Sequence, residues 1–247
     1  IFPVCECAII PITRGLMKKG MPVGPAITFM LATPIVNPIV LLSTYNAFTT
    51  MPQMMPLRAA CGFIGAITIG ALVGRAQGKA VLKGGVAPSC ACGTHHGTEA
   101  EHGLPKGKRE IFRAVIKHTN AELQSVGMYL IFGAIIAATV QMAVPTDVLT
   151  GIGGGRISSI IVMMALAFLL SLCSEADAFV ANTFLYQFSG ASVLAFLIVG
   201  PMIDLKNTFM MFGSFSEKFT VRLILSILMV CFALALVASL FIGGLYG

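Results

Sequence analysis

Two stretches of this chain repeat one another, and both set polar residues inside apolar sequence. The first carries Cys5-Glu6-Cys7 and, further on, Phe29-x4-Pro34-x2-Asn37. The second carries Cys173-Ser174-Glu175 and then Phe196-x4-Pro201-x2-Asp204. Cys5 to Pro34 is 29 positions, and Cys173 to Pro201 is 28. A duplicated unit with thiols, carboxylates and helix-breaking prolines at membrane depth is how transporters are commonly built. Polar groups are costly in lipid, so they are expected where they line a protein-enclosed path.

The rest of the chain fits that setting. Its 247 residues are 57% hydrophobic and 11% charged, whereas a soluble domain carries about 25% charged residues. A spanning helix needs roughly 20 mostly apolar residues. Full or near-full spans are predicted at 22–48, 57–74, 122–143, 157–172, 190–212 and 219–243. The segments 3–17 and 173–188 are shorter and more polar, and suit half-helices, re-entrant pieces or short crossings. The expected fold is an all-α polytopic membrane protein built from two inverted repeats with broken or re-entrant helices.

Charge predicts the orientation. The interval 75–118 holds Arg75, Lys79, Lys83, Lys106, Lys108, Arg109, Arg113 and Lys117, and is expected on the cytoplasmic side. Lys18, Lys19, Lys206, Lys218 and Arg222 then fall on the same side, and the loops 49–56, 144–155 and 186–190 lack Lys and Arg and suit the outside. If each short polar segment counts as a crossing, each copy has five, and an odd number turns the second copy upside down. The organisation predicted is a first transmembrane repeat over 1–74, a cytoplasmic loop over 75–121 and a second repeat over 122–247. In the second copy two helices precede the Cys173 motif, whereas its counterpart starts at Cys5. The first repeat is therefore expected to lack about two N-terminal helices, roughly 50 residues of a complete unit. The location expected is a bacterial-type inner (plasma) membrane, crossed many times, with lipid as the first partner. The net charge of +6 belongs to cytoplasmic loops; no basic amphipathic stripe points to nucleic acid.

Several residues have the chemistry for a site. The thiolates of Cys5 and Cys7 are soft ligands that suit Cu(I), Zn(II) or arsenic-type species. On a helix they would stand about 200° apart, so chelation by the pair needs a non-helical backbone, which Pro3 and Pro11 favour. The alternative is two small cysteines at a tight packing point, although Glu6 between them is then hard to explain. In the partner motif Glu175 stands where the first copy has Cys7. Glu175 and Asp177 suit a proton relay or a cation site, or else form a solvated helix end. Pro34 and Pro201 each free a backbone carbonyl inside an apolar run. With Asn37 and Asp204 three residues later, each break suits a substrate or ion site at mid-depth; a kink relieved by packing is the plainer alternative. Asp204 alone titrates there, which makes it the candidate for a coupling proton or cation, unless it caps a helix near Lys206. In the loop, Cys90, Cys92, His95, His96 and His102 form a Gly-rich stretch that suits Zn or Cu, though the spacing matches no standard zinc module; a polar linker is the alternative. The methionine pairs 54–55, 163–164 and 210–211 are expected to pack rather than to ligate.

Cys5-Glu6-Cys7-Ala-Ile-Ile-Pro11, the Lys18-Lys19-Gly20 turn and the Phe29-to-Pro38 segment resemble the predicted-permease family that includes the ArsP organoarsenical efflux permeases. Ser171 to Phe179 and Gly200 to Lys206 are similar to that family's second block. The resemblance implies an inner-membrane permease with both blocks near the substrate path. Some members are linked to trivalent organoarsenicals and others to copper or zinc efflux. Several look like half of a two-component permease with a small membrane partner. Metal-linked members read Cys-Ser-Cys where Glu6 stands here, so the resemblance gives the transporter class and leaves the cargo open.

The expected activity is export of a small thiophilic solute. No Gly-x4-Gly-Lys-Ser/Thr loop is present, so an ion gradient or a partner would supply the energy. A homo-oligomer or a second small subunit suits such a permease. Two other classes compete: an intramembrane enzyme, which gains little from duplication, and a metal-sensing membrane subunit that does not transport.

Overall fold

The computed structural model describes residues 6–76 and 155–243, with Ile131, Ile135 and Thr139 between them. Among these residues the secondary structure is helical, with no strand element. Helix α1 spans Glu6–Lys18, α2 Val23–Ala32, α3 Pro38–Ala47 and α4 Met54–Ala76. After the interval that holds the three isolated residues come α5 (Arg156–Leu170), α6 (Ser174–Thr183), α7 (Gly190–Met202), α8 (Leu205–Ser214) and α9 (Glu217–Gly243). A single 3-10 turn, Phe184–Tyr186, follows α6.

The breaks fall where the prolines predict them. The expected span 22–48 divides into α2 and α3 around Pro34, and 190–212 divides into α7 and α8 just after Pro201. Each second half restarts on the matched polar residue. Asn37 caps α3 by accepting from the Ile39 N–H at 3.0 Å, with Pro38 at the first helical position, where its missing N–H costs nothing. Asp204 caps α8 by accepting from the Asn207 N–H at 2.6 Å. The segments 3–17 and 173–188 contain α1, 13 residues long, and α6, 10 residues long. At about 1.5 Å per residue both fall short of a hydrocarbon core ~30 Å thick. The expected span 122–143 lies outside the described residues except for Ile131, Ile135 and Thr139, which are helical.

Three segments among the described residues are long and apolar enough to cross a membrane: Met54–Arg75, Gly190–Ser214 and Glu217–Leu240. They differ in burial. The stretch through α7 and α8 is 78% buried, against 39% for α4 and 33% for α9, so α7 is the central post. It packs against α5, α6, α4 and α9. The outer helices turn apolar side chains outward, as Leu72, Met229 and Leu240 do. Helix α2 lies closest to α4, where Gly24, Gly70 and Gly74 bring the two backbones together. A Cβ on Gly74 would stand 2.9 Å from the Gly24 Cα. Small residues allow such contact, and in lipid the resulting van der Waals packing drives helix association. Met163, Met210 and Met211 are buried in the core, as expected of packing residues.

Candidate functional site

The polar groups of the interior gather at the junction of α5 with α6, against the break between α7 and α8. Helix α5 ends on Ser171, in the left-handed region at φ 50°, a conformation that usually falls to glycine. The tight turn sends the chain directly into α6. It also sets the Ser171 Oγ to accept from the Lys206 N–H at 3.3 Å. Together with the Asp204 cap, this satisfies two of the donors that α8 leaves open at its start.

Helix α6 then delivers its two carboxylates to different environments. Cys173, exposed, donates from Sγ to the Glu175 Oε2 at 2.9 Å. Glu175 is half-buried. Asp177 is 2% exposed and lies against Gly200, where a Cβ would come within 2.5 Å of its Oδ2. Gly200 is four residues before Asp204, which is fully buried. Arg58, Asp204 and Lys206 are the charges acting on the Asp177 carboxylate. Lys206 Nζ approaches the Asp204 Oδ2 at 3.6 Å. Among the described residues, no donor lies within hydrogen-bond distance of the Oδ2 atoms of Asp177 and Asp204 or the Oδ1 of Asn207. Of the two carboxylates read from the sequence as a relay or cation site, Glu175 is at the rim and Asp177 in the core.

Arg58 is the residue that sequence reasoning passed over. It is fully buried, near the start of α4. Nη1 donates to the Thr44 Oγ1 at 2.7 Å and Nη2 to the Ser174 carbonyl at 3.2 Å. Ser43 donates to the Glu175 carbonyl at 2.6 Å. These bonds stitch α3 and α4 to the start of α6, 116 to 132 positions away in sequence. The available signal was a lone arginine one residue inside an apolar span, where a charge needs a partner.

The first copy is less complete. Pro34 and Asn37 are buried at the α2–α3 break. Cys5 lies outside the described residues, as do the side chains of Glu6 and Cys7. The backbone is helical from Glu6 onward and continues through Pro11, so the non-helical segment expected around the thiol pair is not present at Cys7. Pro11 lacks the N–H that would bond the carbonyl four residues back, which is that of Cys7. Residues 90–102, with their candidate Zn or Cu ligands, also lie outside the described residues. Among the described residues no group of three His, Cys, Asp or Glu is placed to hold a metal ion.

A family described as "Predicted permease", ArsP_1, matches residues 1–240. A protein of Streptococcus mutans described as "Putative two-component membrane permease complex subunit" is 42% identical over 224 residues, covering 91% of this chain and 71% of its own. The UPF0718 protein YcgR of Bacillus subtilis is 42% identical over 236 residues, covering 94% of this chain and 76% of its own. No solved structure matches the chain significantly.

Proposed function

Given that this chain belongs to the predicted permease family and is a membrane transporter rather than an enzyme, we propose that it exports a small thiophilic solute between two inverted repeats. A soft metal ion or a trivalent organoarsenical is the cargo class. The observation that carries the reading is the pair of buried carboxylates at the second helix break. Asp177 and Asp204 are sealed from solvent within a bundle whose outer helices expose apolar side chains. Carboxylates at such depth mark ion pathways and proton relays.

Roles divide by chemistry. Cys5 and Cys7 are the soft ligands for the cargo. Asp204, whose Oδ1 caps α8 while its Oδ2 faces Lys206, carries the coupling proton or cation, with Asp177 packed against Gly200 four residues earlier. Asn37 at the matching position offers a carbonyl without like-charge repulsion. The inverted arrangement is supported by crossed packing: α1 of the first copy packs on α8 of the second, and α6 of the second packs on α3 of the first. An axis relating the copies would give that exchange. The setting we propose is a multi-pass protein of the inner membrane with the 75–121 loop in the cytoplasm. The loop's Cys90, Cys92, His95, His96 and His102 form a Zn or Cu site that regulates transport. A small second membrane subunit follows the description of the Streptococcus relative.

The test is binding by the purified protein across Zn(II), Cu(I), trivalent arsenicals and a thiol metabolite, for the native chain and for the double substitution Cys5→Ser, Cys7→Ser. The expected result is one soft species bound by the native protein and lost from the variant, with membrane insertion unchanged. Binding that ignores the thiols, or normal export by the double variant, would overturn the soft-cargo assignment.

A further inference from the structure

A small cavity lies where the helices of the two copies meet. Ile9 and Ile10 of α1 wall one side of it, and Met30 of α2, Met202 of α7, and Asn207 and Met211 of α8 line the rest. It measures about 10 Å³, room for one water-sized occupant and no more. The site is deep: Met30, Met202 and Asn207 are each 4% exposed and Met211 1%. Methionine adapts to fill irregular gaps, yet three of them surround this one. The Asn207 backbone N–H is taken by the Asp204 Oδ1, whereas no donor among the described residues reaches its side-chain Oδ1. A buried amide oxygen left without a partner is costly, and points to an occupant. A water there would need two to four polar partners. Among the lining side chains, Asn207 alone offers more than the weak acceptor of a thioether.

We propose that this cavity is a transit site for Cu(I), held by the thioether sulfurs of Met30, Met202 and Met211 with the Asn207 Oδ1 beside them. Thioethers are soft ligands that suit Cu(I). All four groups are neutral, so no ligand charge offsets the ion's own. The cost of burying an ion grows with the square of its charge, and a site of this kind favours Cu(I) over Zn(II). A trivalent organoarsenical exceeds the space. Negative potential comes from outside the ligand set: the Asp204 carboxylate is one hydrogen bond from the Asn207 backbone, at 2.6 Å, and shares its charge with Lys206. The Cys231 Sγ donates to the Met202 Sδ at 3.5 Å and steadies that side chain from α9; a thioether sulfur keeps a further lone pair for a metal. The cavity lies between the copies, where a permease of inverted repeats passes its cargo. Ligands weaker than thiolates suit a station that must also release its ion. The inference deepens the export reading and rests on it for the passage of a soft species between the copies.

The experiment is copper-edge X-ray absorption on the full-length protein, purified in detergent with selenomethionine in place of methionine and titrated with Cu(I) past saturation of its thiols. Selenium neighbours of copper report methionine ligation and are blind to cysteine. The expected result is copper–selenium scattering in the native chain, lost when Met30, Met202 and Met211 are all replaced by leucine. Leucine is close to methionine in volume, so the core tolerates it. Each single Met→Leu substitution should remove one selenium neighbour, and Met163→Leu, in the core away from the cavity, should remove none. Absence of selenium neighbours in the native protein would overturn the site, as would selenium scattering that survives the triple substitution. Excess Zn(II) that displaces copper from selenium would overturn the preference for a monovalent ion. Thiol-dependent binding of Zn(II) or an arsenical in the cargo panel, with no selenium neighbour here, would remove this site and leave the export reading standing.

Discussion

Replacing Gly200 with alanine asks whether the Asp177 carboxylate really rests on the α7 backbone. The new Cβ would stand 2.5 Å from Oδ2 and 3.2 Å from Cγ. Carbon contacts are optimal at about 3.5–4.0 Å, so the carboxylate must retreat by roughly 1 Å. Asp177 is 2% exposed, and overpacking of this kind costs about 1–3 kcal/mol. Alanine returns up to ~1 kcal/mol of helix propensity, leaving a net loss of about 0–3 kcal/mol. In an Asp177→Ala background the obstacle is gone, and Gly200→Ala should become neutral or stabilising by up to ~1 kcal/mol. The coupling between the two sites is therefore expected at about 1–3 kcal/mol, within the range measured for contacting residues. Reversible unfolding of the four proteins in detergent micelles gives that number through a double-mutant cycle. Transport should fall in Gly200→Ala and stay low in the double variant, because relief of the clash restores packing and not the carboxylate. Effects that simply add, to within about 0.3–0.5 kcal/mol, would refute the contact.

Four further outcomes are expected. Asp204→Asn keeps a side chain that caps α8 equally well, so folding should hold while any pH dependence of transport disappears and cargo binding changes little; an unaltered pH profile would remove Asp204 from the proposed coupling role. Arg58→Ala strips the donors from Thr44 and the Ser174 carbonyl and should cost about 1–3 kcal/mol, seen as loss of folded protein in membranes, with Arg58→Lys intermediate; a variant as stable as the native chain would show that the buried arginine is not what joins α4 to α6. Gly74→Ala meets the Gly24 Cα at 2.9 Å and its N at 3.3 Å, backbone atoms that no rotamer can move, and should lower the melting temperature. Gly15→Ala, with nothing within 4 Å, should raise it by the propensity gain alone.

The apolar runs, the matched motifs and the prolines determined which segments are helical and where they stop. Pro34 and Pro201 carry that information locally, because each removes an intrahelical hydrogen bond, although Pro11 stays inside α1. Asn37 and Asp204 were legible for the same reason: they follow the break by a fixed interval and cap the next helix. The likeness of the two blocks to a permease family also lay in the order of residues. Burial did not. Glu175 and Asp177 look alike in sequence, and only the seating of α6 against Gly200 puts one at the rim and the other in the core. Arg58 read as the edge of a span until Thr44 and the Ser174 carbonyl, the latter more than a hundred positions away, closed around it. Phe29 of α2 is exposed and its counterpart Phe196 of α7 is buried, although the apolar sequence around the two is alike. Local backbone chemistry is written in neighbouring residues; the partner of a buried charge, and the cover of an apolar face, are set by elements that meet only when the chain has folded.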